Sequence, residues 1–183
     1  ILRPGPGVGG HCISVDPWFL VEASPATADL IRTARLVNDA QPAFLLDFVR
    51  RNTGELTGRK VAVLGLSYKP NIDDLRESPA IEFVRLLKQA GADVRTFEPF
   101  VPDYQVEEGI TACDSLEDVL GGADGVILLV GHEVFSDLTG ESLFDKSGRR
   151  SREGFFLVDA VNILKRETSE GLTLIRLGDG RSR

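Results

Sequence analysis

The feature that most constrains the fold is a series of short apolar runs, separated by amphipathic segments, from Leu56 to the C-terminus. The first run covers Lys60–Leu66, and the most apolar one covers Gly125–Val130. Continuous apolar runs of this length are typical of strands that are buried on both faces. Strands that alternate with helices predict a mostly parallel sheet with helices on both faces. We therefore predict an α/β fold for this part of the chain.

The same patterns predict the remaining elements. Further strands are predicted at residues 93–98, 110–113 and 155–159, and helices at residues 78–90 and 115–120. Upstream, residues 25–52 have a helical apolar period that Pro42 interrupts, so either one long helix kinks there or two helices meet there. The polar and basic residues 146–152 indicate a surface loop, and the tail after Gly178 is expected to fray.

The composition argues against several classes of partner. The 183 residues include 21 Lys and Arg against 28 Asp and Glu, a net charge of −7. Such an acidic chain is a poor generic binder of nucleic acid or of anionic membranes, so we expect neither partner. The longest apolar run, Val126–Val130, is far shorter than the about 20 residues of a membrane helix. The two cysteines do not make a disulfide scaffold, so we expect a reduced, cytoplasmic protein.

A glycine-rich loop carries the first candidate site. In the run Gly9–Asp16, Cys12 follows two glycines and a histidine. Glycines let a backbone approach a ligand closely, and a cysteine there is a candidate nucleophile if its thiolate is favoured. Asp16 is placed to position a water or to transfer a proton. The alternative is that Cys12 is a small buried apolar residue, which the neighbouring glycines and Asp16 disfavour.

The second candidate site is the segment Leu64–Pro79, which joins the first strand to the next helix. This position binds nucleotides in doubly wound folds, but Gly65 is its single glycine, so it is not a dinucleotide fingerprint. Lys69 and Arg76 are candidate cations for phosphates or carboxylates. The equally weighted alternative is a solvated, self-paired charged turn over residues 73–77.

Three other residues have simpler interpretations. Cys113 lies in a short predicted strand and is expected in the core. His132 follows the apolar strand at the end where α/β folds place ligand sites, although a lone loop histidine is usually solvated. With two histidines and two cysteines, and no pair at ligand spacing, we predict no metal site.

Taken together, the two segments resemble the UDP-glucose/GDP-mannose dehydrogenase family. Arg3–Phe19 resembles the catalytic cysteine loop of that family, and Leu64–Pro79 resembles the opening of its C-terminal nucleotide-sugar domain. Between them, Ala34–Asp39 with Pro42 resembles the long central helix that joins the two halves and forms the dimer. The resemblance covers essentially the whole chain, with the motifs in the family's order.

The resemblance implies that the chain contains parts of two domains of a longer protein. Residues 1–54 would be a remnant of the central helical and dimerisation domain, and residues 55–183 a Rossmann-like UDP-sugar-binding domain. The chain has no Met and opens inside a Gly/Pro-rich loop. We therefore expect it to be a piece of a longer protein whose NAD-binding domain is absent here, and to be inactive alone.

The resemblance also implies the chemistry. The family uses two NAD to oxidise the C6 alcohol of a nucleotide sugar to a carboxylate. Cys12 would attack the aldehyde intermediate, the thiohemiacetal would be oxidised to a thioester, and Asp16 would assist the hydrolytic water. Cofactor contacts would come from His11 and Arg76. The residues expected to contact the UDP-sugar substrate are Arg3, Gly7, Val8, Gly9, Gly10, Tyr68 and Lys69.

The details of the cysteine loop favour one branch of the family. His11–Ile13 with Asp16–Phe19 looks most like the branch that oxidises UDP-N-acetyl-D-mannosamine. Many members have an Asp-Gly-Arg-Asn segment near the end, where Asp159–Asn162 here has Val161 at the arginine position. This departure removes one nucleotide contact and argues against a UDP-glucose enzyme. The alternatives are a UDP-glucose or UDP-N-acetylglucosamine dehydrogenase, a non-catalytic UDP-sugar-binding module, or a scaffold that only dimerises.

Overall fold

A six-stranded parallel sheet lies at the centre of the protein. The computed structural model describes residues 3–165, 171–172 and 174–178. The strands are Lys60–Leu64 (β1), Asp93–Phe97 (β2), Ile110–Ala112 (β3), Gly125–Leu128 (β4), Phe156–Asp159 (β5) and Leu174–Arg176 (β6). Their order is β3-β2-β1-β4-β5-β6, and every neighbouring pair is parallel. The order reverses between β1 and β4, as in a Rossmann-like sheet, which confirms the predicted fold class.

Helices precede the sheet and cover both of its faces. Their bounds are Asp16–Ala23 (α1), Asp29–Asp39 (α2), Gln41–Thr53 (α3), Pro79–Gln89 (α4), Leu116–Leu120 (α5) and Gly140–Ser147 (α6), with a 3-10 turn at Glu133–Phe135. Within the described ranges, no helix is both long enough and apolar enough to cross a membrane.

The core consists of two layers because successive side chains of a strand point to opposite faces. Val61 and Val63 of β1 pack in one buried cluster with α3 and α4. Ala62 and Leu64 pack in the other, with α5 and α6. All four side chains are completely buried, and full burial of such a valine or leucine contributes roughly 1.5–3 kcal/mol. The sheet is therefore covered on both faces, as the continuous apolar runs predict.

Capping residues set the helix starts. The side chain of Ser78 accepts a hydrogen bond from the Ala80 N–H at 3.2 Å, and Pro79 occupies the first turn of α4. Ser115 caps α5 in the same way. At Pro42 the structure has two helices, α2 and α3, which meet at Ala40. Proline is tolerated in the first turn of α3 because its missing N–H would have no helical partner there.

Several predicted bounds differ from the structure. The strands predicted to reach Leu66 and Val130 end at Leu64 and Leu128. The loop predicted over residues 146–152 begins too early, because α6 runs to Ser147. Thr139 and Ser142 form the capping box at the start of this helix. The sequence patterns also missed α1 and β6. The predicted fraying after Gly178 lies outside the described residues.

Gly65 allows the chain to leave β1 beside the next strand. Its φ is +84°, and an added Cβ would lie 2.6 Å from Val130 Cβ and 3.0 Å from the Val130 backbone nitrogen. Both the left-handed backbone and the close approach of Val130 therefore require glycine here.

We predict that Gly65→Ala lowers the free energy of unfolding by about 2–4 kcal/mol, because it adds backbone strain and a steric clash. Gly58→Ala is the matched control, since Gly58 has φ +73° and open space around an added Cβ. Urea unfolding measures the loss in each variant, and the difference between the two losses gives the contribution of the steric clash at Gly65. Equal losses would contradict the clash at Val130.

Candidate active site

A large cavity lies at the carboxyl edge of the sheet, next to the switch point between β1 and β4. Its volume is about 1230 Å³. The sheet side is formed by residues that follow four strands: Ser67 after β1, Val130 after β4, Val161 after β5 and Leu177 after β6. The opposite walls are the glycine-rich loop, α2 and α3. Doubly wound folds bind their ligands at this edge.

The cavity is mainly apolar but carries cationic and amide groups. Arg3 from the glycine-rich loop and Arg51 from α3 bring guanidinium groups to it, and Asn38 and Asn52 bring amides. Cations beside an apolar wall suit an anionic ligand that also has uncharged parts. The sequence interpretation missed Arg51 and Asn52. Their helical spacing from Phe48, which also lines the cavity, is the signal that could have identified this face.

Helix α2 fixes the glycine-rich loop through two side chains. Asn38 Oδ1 accepts the Val8 N–H at 2.8 Å, and Asn38 Nδ2 donates to the Val8 carbonyl oxygen at 2.9 Å. Arg35 donates to the Ile13 carbonyl oxygen at 3.3 Å and pairs with Asp39. The loop is therefore held on both sides of Cys12.

Two glycines dock this loop onto the segment after β1. A Cβ on Gly9 would lie 2.1 Å from the Glu77 carbonyl oxygen, and a Cβ on Gly10 would lie 2.8 Å from the Tyr68 ring. The Gly10 N–H donates to the same Glu77 oxygen at 3.2 Å, and Gly10 has φ +102°. The structure thus brings the two candidate segments into direct contact.

Cys12 is exposed on the docked loop. This exposure excludes the alternative that Cys12 is a buried apolar residue. The Cys12 carbonyl oxygen accepts the Asp16 N–H at 2.8 Å, and Asp16, also exposed, is the first residue of α1. The exposed thiol can therefore be reached by a reacting group, with a carboxylate one helical turn away.

A charged cluster lies beside the cysteine loop. Arg76 forks onto Asp74, with Nε 3.0 Å from Oδ1 and Nη2 2.7 Å from Oδ2. Arg76 Nη2 is also 3.3 Å from His11 Nδ1, and the His11 ring meets the Tyr68 ring edge-on at 6.3 Å. The predicted pairing of charges within this turn is therefore confirmed for Asp74 and Arg76. Arg76 also contacts His11 of the cysteine loop.

The pairing changes the acidity of both partners. The hydrogen bonds from Arg76 are the main reason that the pKa of Asp74 falls to about 2. The bond to Asp74 likewise raises the pKa of Arg76, with smaller contributions from Tyr68 and Cys12. Asp74 therefore stays charged through the physiological range and compensates Arg76.

The predicted site residues fall into two groups. Those that line the cavity are Arg3, Gly7, Val8 and Tyr68. Those that lie outside its lining are Gly9, Gly10, His11, Cys12, Asp16, Lys69 and Arg76. Lys69 is exposed, and it is absent from the lysine–carboxylate pairs of the described residues, which involve Lys88, Lys146 and Lys165. Within the described ranges, no group of three or more metal-ligating side chains occurs.

The expectation that His132 is solvated is wrong. Its side chain is completely buried, with Nε2 3.2 Å from Glu98 Oε2 and 3.3 Å from Ser67 Oγ. The loop that leaves β1 folds over this edge and covers the histidine. Cys113 is buried as predicted, and burial raises the pKa of its thiol.

Comparisons with known proteins agree with this architecture. Residues 62–166 match the UDP binding domain of the UDP-glucose/GDP-mannose dehydrogenase family, and residues 1–40 match the central domain of that family. The chain belongs to the UDP-glucose/GDP-mannose dehydrogenase family. The family match therefore covers strands β1 to β5 of the sheet, apart from the first residues of β1, and the loop that carries Cys12.

Individual members of the family extend the match over the whole chain. The UDP-N-acetyl-D-mannosamine dehydrogenase of Methanocaldococcus jannaschii is 39% identical over 100% of this chain and 41% of its own length. The NDP-N-acetyl-D-galactosaminuronic acid dehydrogenase of Ralstonia solanacearum is 50% identical over 78% of this chain and 34% of its own length. The chain thus spans about two fifths or less of these curated relatives.

A solved structure gives the same result. The UDP-D-ManNAc dehydrogenase of Pyrococcus horikoshii superposes with a TM-score of 0.77 at 33% identity, over 98% of this chain and 41% of its own chain. The superposition includes the helices before the sheet as well as the sheet itself, because nearly the whole chain is covered.

We predict that the pKa of Asp74, measured by NMR titration of its carboxyl, is about 2 and rises towards 3.8 in Arg76→Gln. A lowered folded-state pKa stabilises the fold above the unfolded value, and this stabilisation is lost as the pH falls from about 4 towards 2. Arg85→Gln, which removes a partner of Glu107 instead, should leave Asp74 unchanged. An unshifted Asp74 in Arg76→Gln would refute the assigned cause.

Proposed function

We propose that this chain is part of an NAD-dependent nucleotide-sugar 6-dehydrogenase that oxidises UDP-N-acetyl-D-mannosamine to UDP-N-acetyl-D-mannosaminuronate. The observation that carries the proposal is the docking of the Cys12 loop onto the segment after β1, beside the cavity at the carboxyl edge. A nucleophile and a nucleotide-binding edge are thereby brought together on one face of the protein.

The cavity supports a nucleotide-sugar ligand. Its volume of about 1230 Å³ exceeds the upper range of about 1,000 Å³ for small-molecule sites, as a nucleotide joined to a sugar requires. Arg3 and Arg51 are the cations for the pyrophosphate, and the apolar surface of Val161, Ile163 and Leu177 suits the uncharged parts. Lys69 lies between Tyr68 and Pro70, which both line the cavity, and adds a cation that has no carboxylate partner among the described residues.

Cys12 carries the covalent step. Its thiolate attacks the aldehyde carbon, which forms the C–S bond of a thiohemiacetal and leaves the electron pair on the carbonyl oxygen. After oxidation to the thioester, water attacks the carbonyl carbon, Asp16 accepts the proton of the water, and the thiolate leaves.

NAD supplies the oxidation in this proposal. The described residues do not by themselves form a dinucleotide cradle. The turn after β1 has one glycine, Gly65, packed against Val130, and the charge of Arg76 is compensated by Asp74. The glycine-rich loop has the spacing G-x-G-x-x-G from Gly5 to Gly10 but precedes α1 instead of following a strand. We therefore assign no hydride step to these residues. We propose that His11 and Arg76 make peripheral contacts with a cofactor that is held mainly by other parts of the enzyme.

The organisation of the whole enzyme is part of the same proposal. Residues 1–54 belong to the central domain and residues 55–183 form the UDP-sugar domain. Phe19 and Leu20 of α1 and Leu36 of α2 are exposed apolar side chains outside the cavity lining, which supports a homodimer through the central helices. The enzyme works in the cytoplasm in polysaccharide biosynthesis, and the 183-residue chain alone binds substrate without turnover.

A second candidate substrate is an N-acetylgalactosamine nucleotide. The 50% identity to the Ralstonia solanacearum relative over 78% of this chain favours it. NADH formation by the full-length enzyme, compared between UDP-N-acetylmannosamine, UDP-N-acetylgalactosamine and UDP-glucose, decides between the candidates. The highest kcat/KM with UDP-N-acetylmannosamine supports the first, and the highest value with UDP-glucose overturns both.

We predict that Cys12→Ala lowers the turnover of the full-length enzyme by at least about a thousandfold, because it removes the nucleophile, and leaves the UDP-sugar Kd unchanged. Cys113→Ala is the matched control, since that thiol is buried away from the cavity. Turnover by NADH absorbance and binding by calorimetry are measured in parallel. Lost binding in a folded Cys12→Ala protein would make Cys12 structural.

We predict that Lys69→Ala weakens UDP binding by about tenfold, because a charge-assisted contact to phosphate is lost, and leaves the unfolding midpoint unchanged. Lys165→Ala is the control, since Lys165 pairs with Asp137 away from the cavity. Calorimetry with UDP measures both variants. Equal affinities for the two variants would contradict the role of Lys69.

A further inference from the structure

A buried pair of ionisable side chains, Glu98 and His132, lies at the carboxyl edge without lining the cavity. Glu98 directly follows β2, and His132 follows β4, so they flank the loop that leaves the intervening strand β1. Both side chains are 0% exposed, and Nε2 of His132 is 3.2 Å from Glu98 Oε2. Burial of a carboxylate is costly unless hydrogen bonds satisfy it, so the partners of Glu98 indicate what it does.

Glu98 holds the first residues of the loop. Its Oε2 accepts the N–H groups of Leu66 at 2.7 Å and Ser67 at 2.9 Å, and its Oε1 accepts the Phe100 N–H at 3.1 Å. Burial raises the pKa of Glu98, but the hydrogen bonds from His132 and from the two loop N–H groups outweigh it and leave the pKa lowered. The carboxylate is therefore charged and serves as a cap for backbone that has left the sheet.

His132 holds the far side of the same loop. Its Nδ1 accepts the Asn71 N–H at 3.0 Å, so the proton of the neutral ring lies on Nε2, where it points to Glu98. Asn71 in turn accepts the Glu133 N–H at 2.9 Å and has φ +60°. The ring of Phe100 packs on the imidazole with centroids 4.9 Å apart, which fixes its orientation.

Tyr68 and Lys69 lie between these two anchors. Ser67 Oγ, 3.3 Å from Nε2 of His132, donates to the Lys69 carbonyl oxygen at 3.0 Å. Tyr68 lines the cavity and packs on Gly10 of the cysteine loop. A shift of the anchored backbone would therefore move a cavity wall and the docking surface for the Cys12 loop together.

We propose that Glu98 and His132 are positioning residues, which set the Ser67–Asn71 loop in the geometry that binds the UDP group. The proposal rests on the proposed UDP-sugar function for its ligand, although the anchoring of the loop is independent of that ligand. Neither residue touches substrate; each acts through the backbone that carries Tyr68 and Lys69.

The test uses Glu98→Gln, which keeps the shape and removes the charge. Whichever way the amide is turned, its N–H₂ group faces at least one backbone N–H. We expect hydrogen exchange of the amides in residues 66–71 to become at least about tenfold faster, and the Kd for UDP to rise about tenfold. Mass spectrometry measures the first and calorimetry the second, both on the 183-residue chain.

Tyr104→Phe is the matched control for a lost buried hydrogen bond. Tyr104 OH donates to Thr96 Oγ1 at 2.9 Å, which is a bond to β2 and not to the backbone of residues 66–71. This variant should lose stability but keep the exchange of residues 66–71 and the Kd for UDP. If it raises both as Glu98→Gln does, the effect is general loosening and the positioning role is overturned.

A second variant covers the case in which Glu98→Gln does not fold. His132→Phe keeps an aromatic ring against Phe100 but removes both the donor to Glu98 and the acceptor for Asn71, so we expect faster exchange at residues 66–71 and a higher Kd for UDP. Unchanged exchange at residues 66–71 in the folded variants overturns the proposal. Faster exchange in variants of a chain that does not bind UDP at all upholds the anchoring but refutes the proposed function.

Discussion

Burial of β1 on both faces is the constraint on which the rest of the structure depends. With β2 on one side and β4 on the other, β1 has no free edge, and its side chains contact helices above and below. The chain can therefore leave the sheet only at the two ends of β1. At the carboxyl end it must turn sharply, and Gly65 makes that turn against Val130. The cavity edge therefore follows from the packing of one central strand.

The two helices before the sheet, α2 and α3, contact the rest of the protein in different ways. Helix α3 contributes Leu45, Phe48 and Val49 to the same buried cluster as α4, so it is part of the core and not a loose extension. Helix α2 does not share this core, but its Asn38 holds the glycine-rich loop through two backbone bonds. The cavity lies between these helices and the sheet, and its shape depends on both kinds of contact.

The sequence predicted the fold well because its signals are local and strong. Continuous apolar runs identified β1, β4 and β5, and Ser78 with Pro79 identified the start of α4. The sequence predicted the site only in part. Its spacing could not indicate that Glu98 and His132, 34 residues apart, would meet, because that contact depends on which strands flank β1. A histidine after a strand is solvated unless a neighbouring loop covers it, and tertiary packing alone determines the cover.

The exposure of Cys12 follows from the close packing of Gly9 and Gly10 against the segment after β1. Gly9 and Gly10 face the Glu77 carbonyl oxygen and the Tyr68 ring so closely that neither position accepts a side chain. His11 and Cys12 are the next residues along the loop, and both are exposed. The Cys12 thiol is therefore exposed because the residues before it pack against the segment after β1, and we expect a change that moves the Tyr68 loop to move this thiol as well.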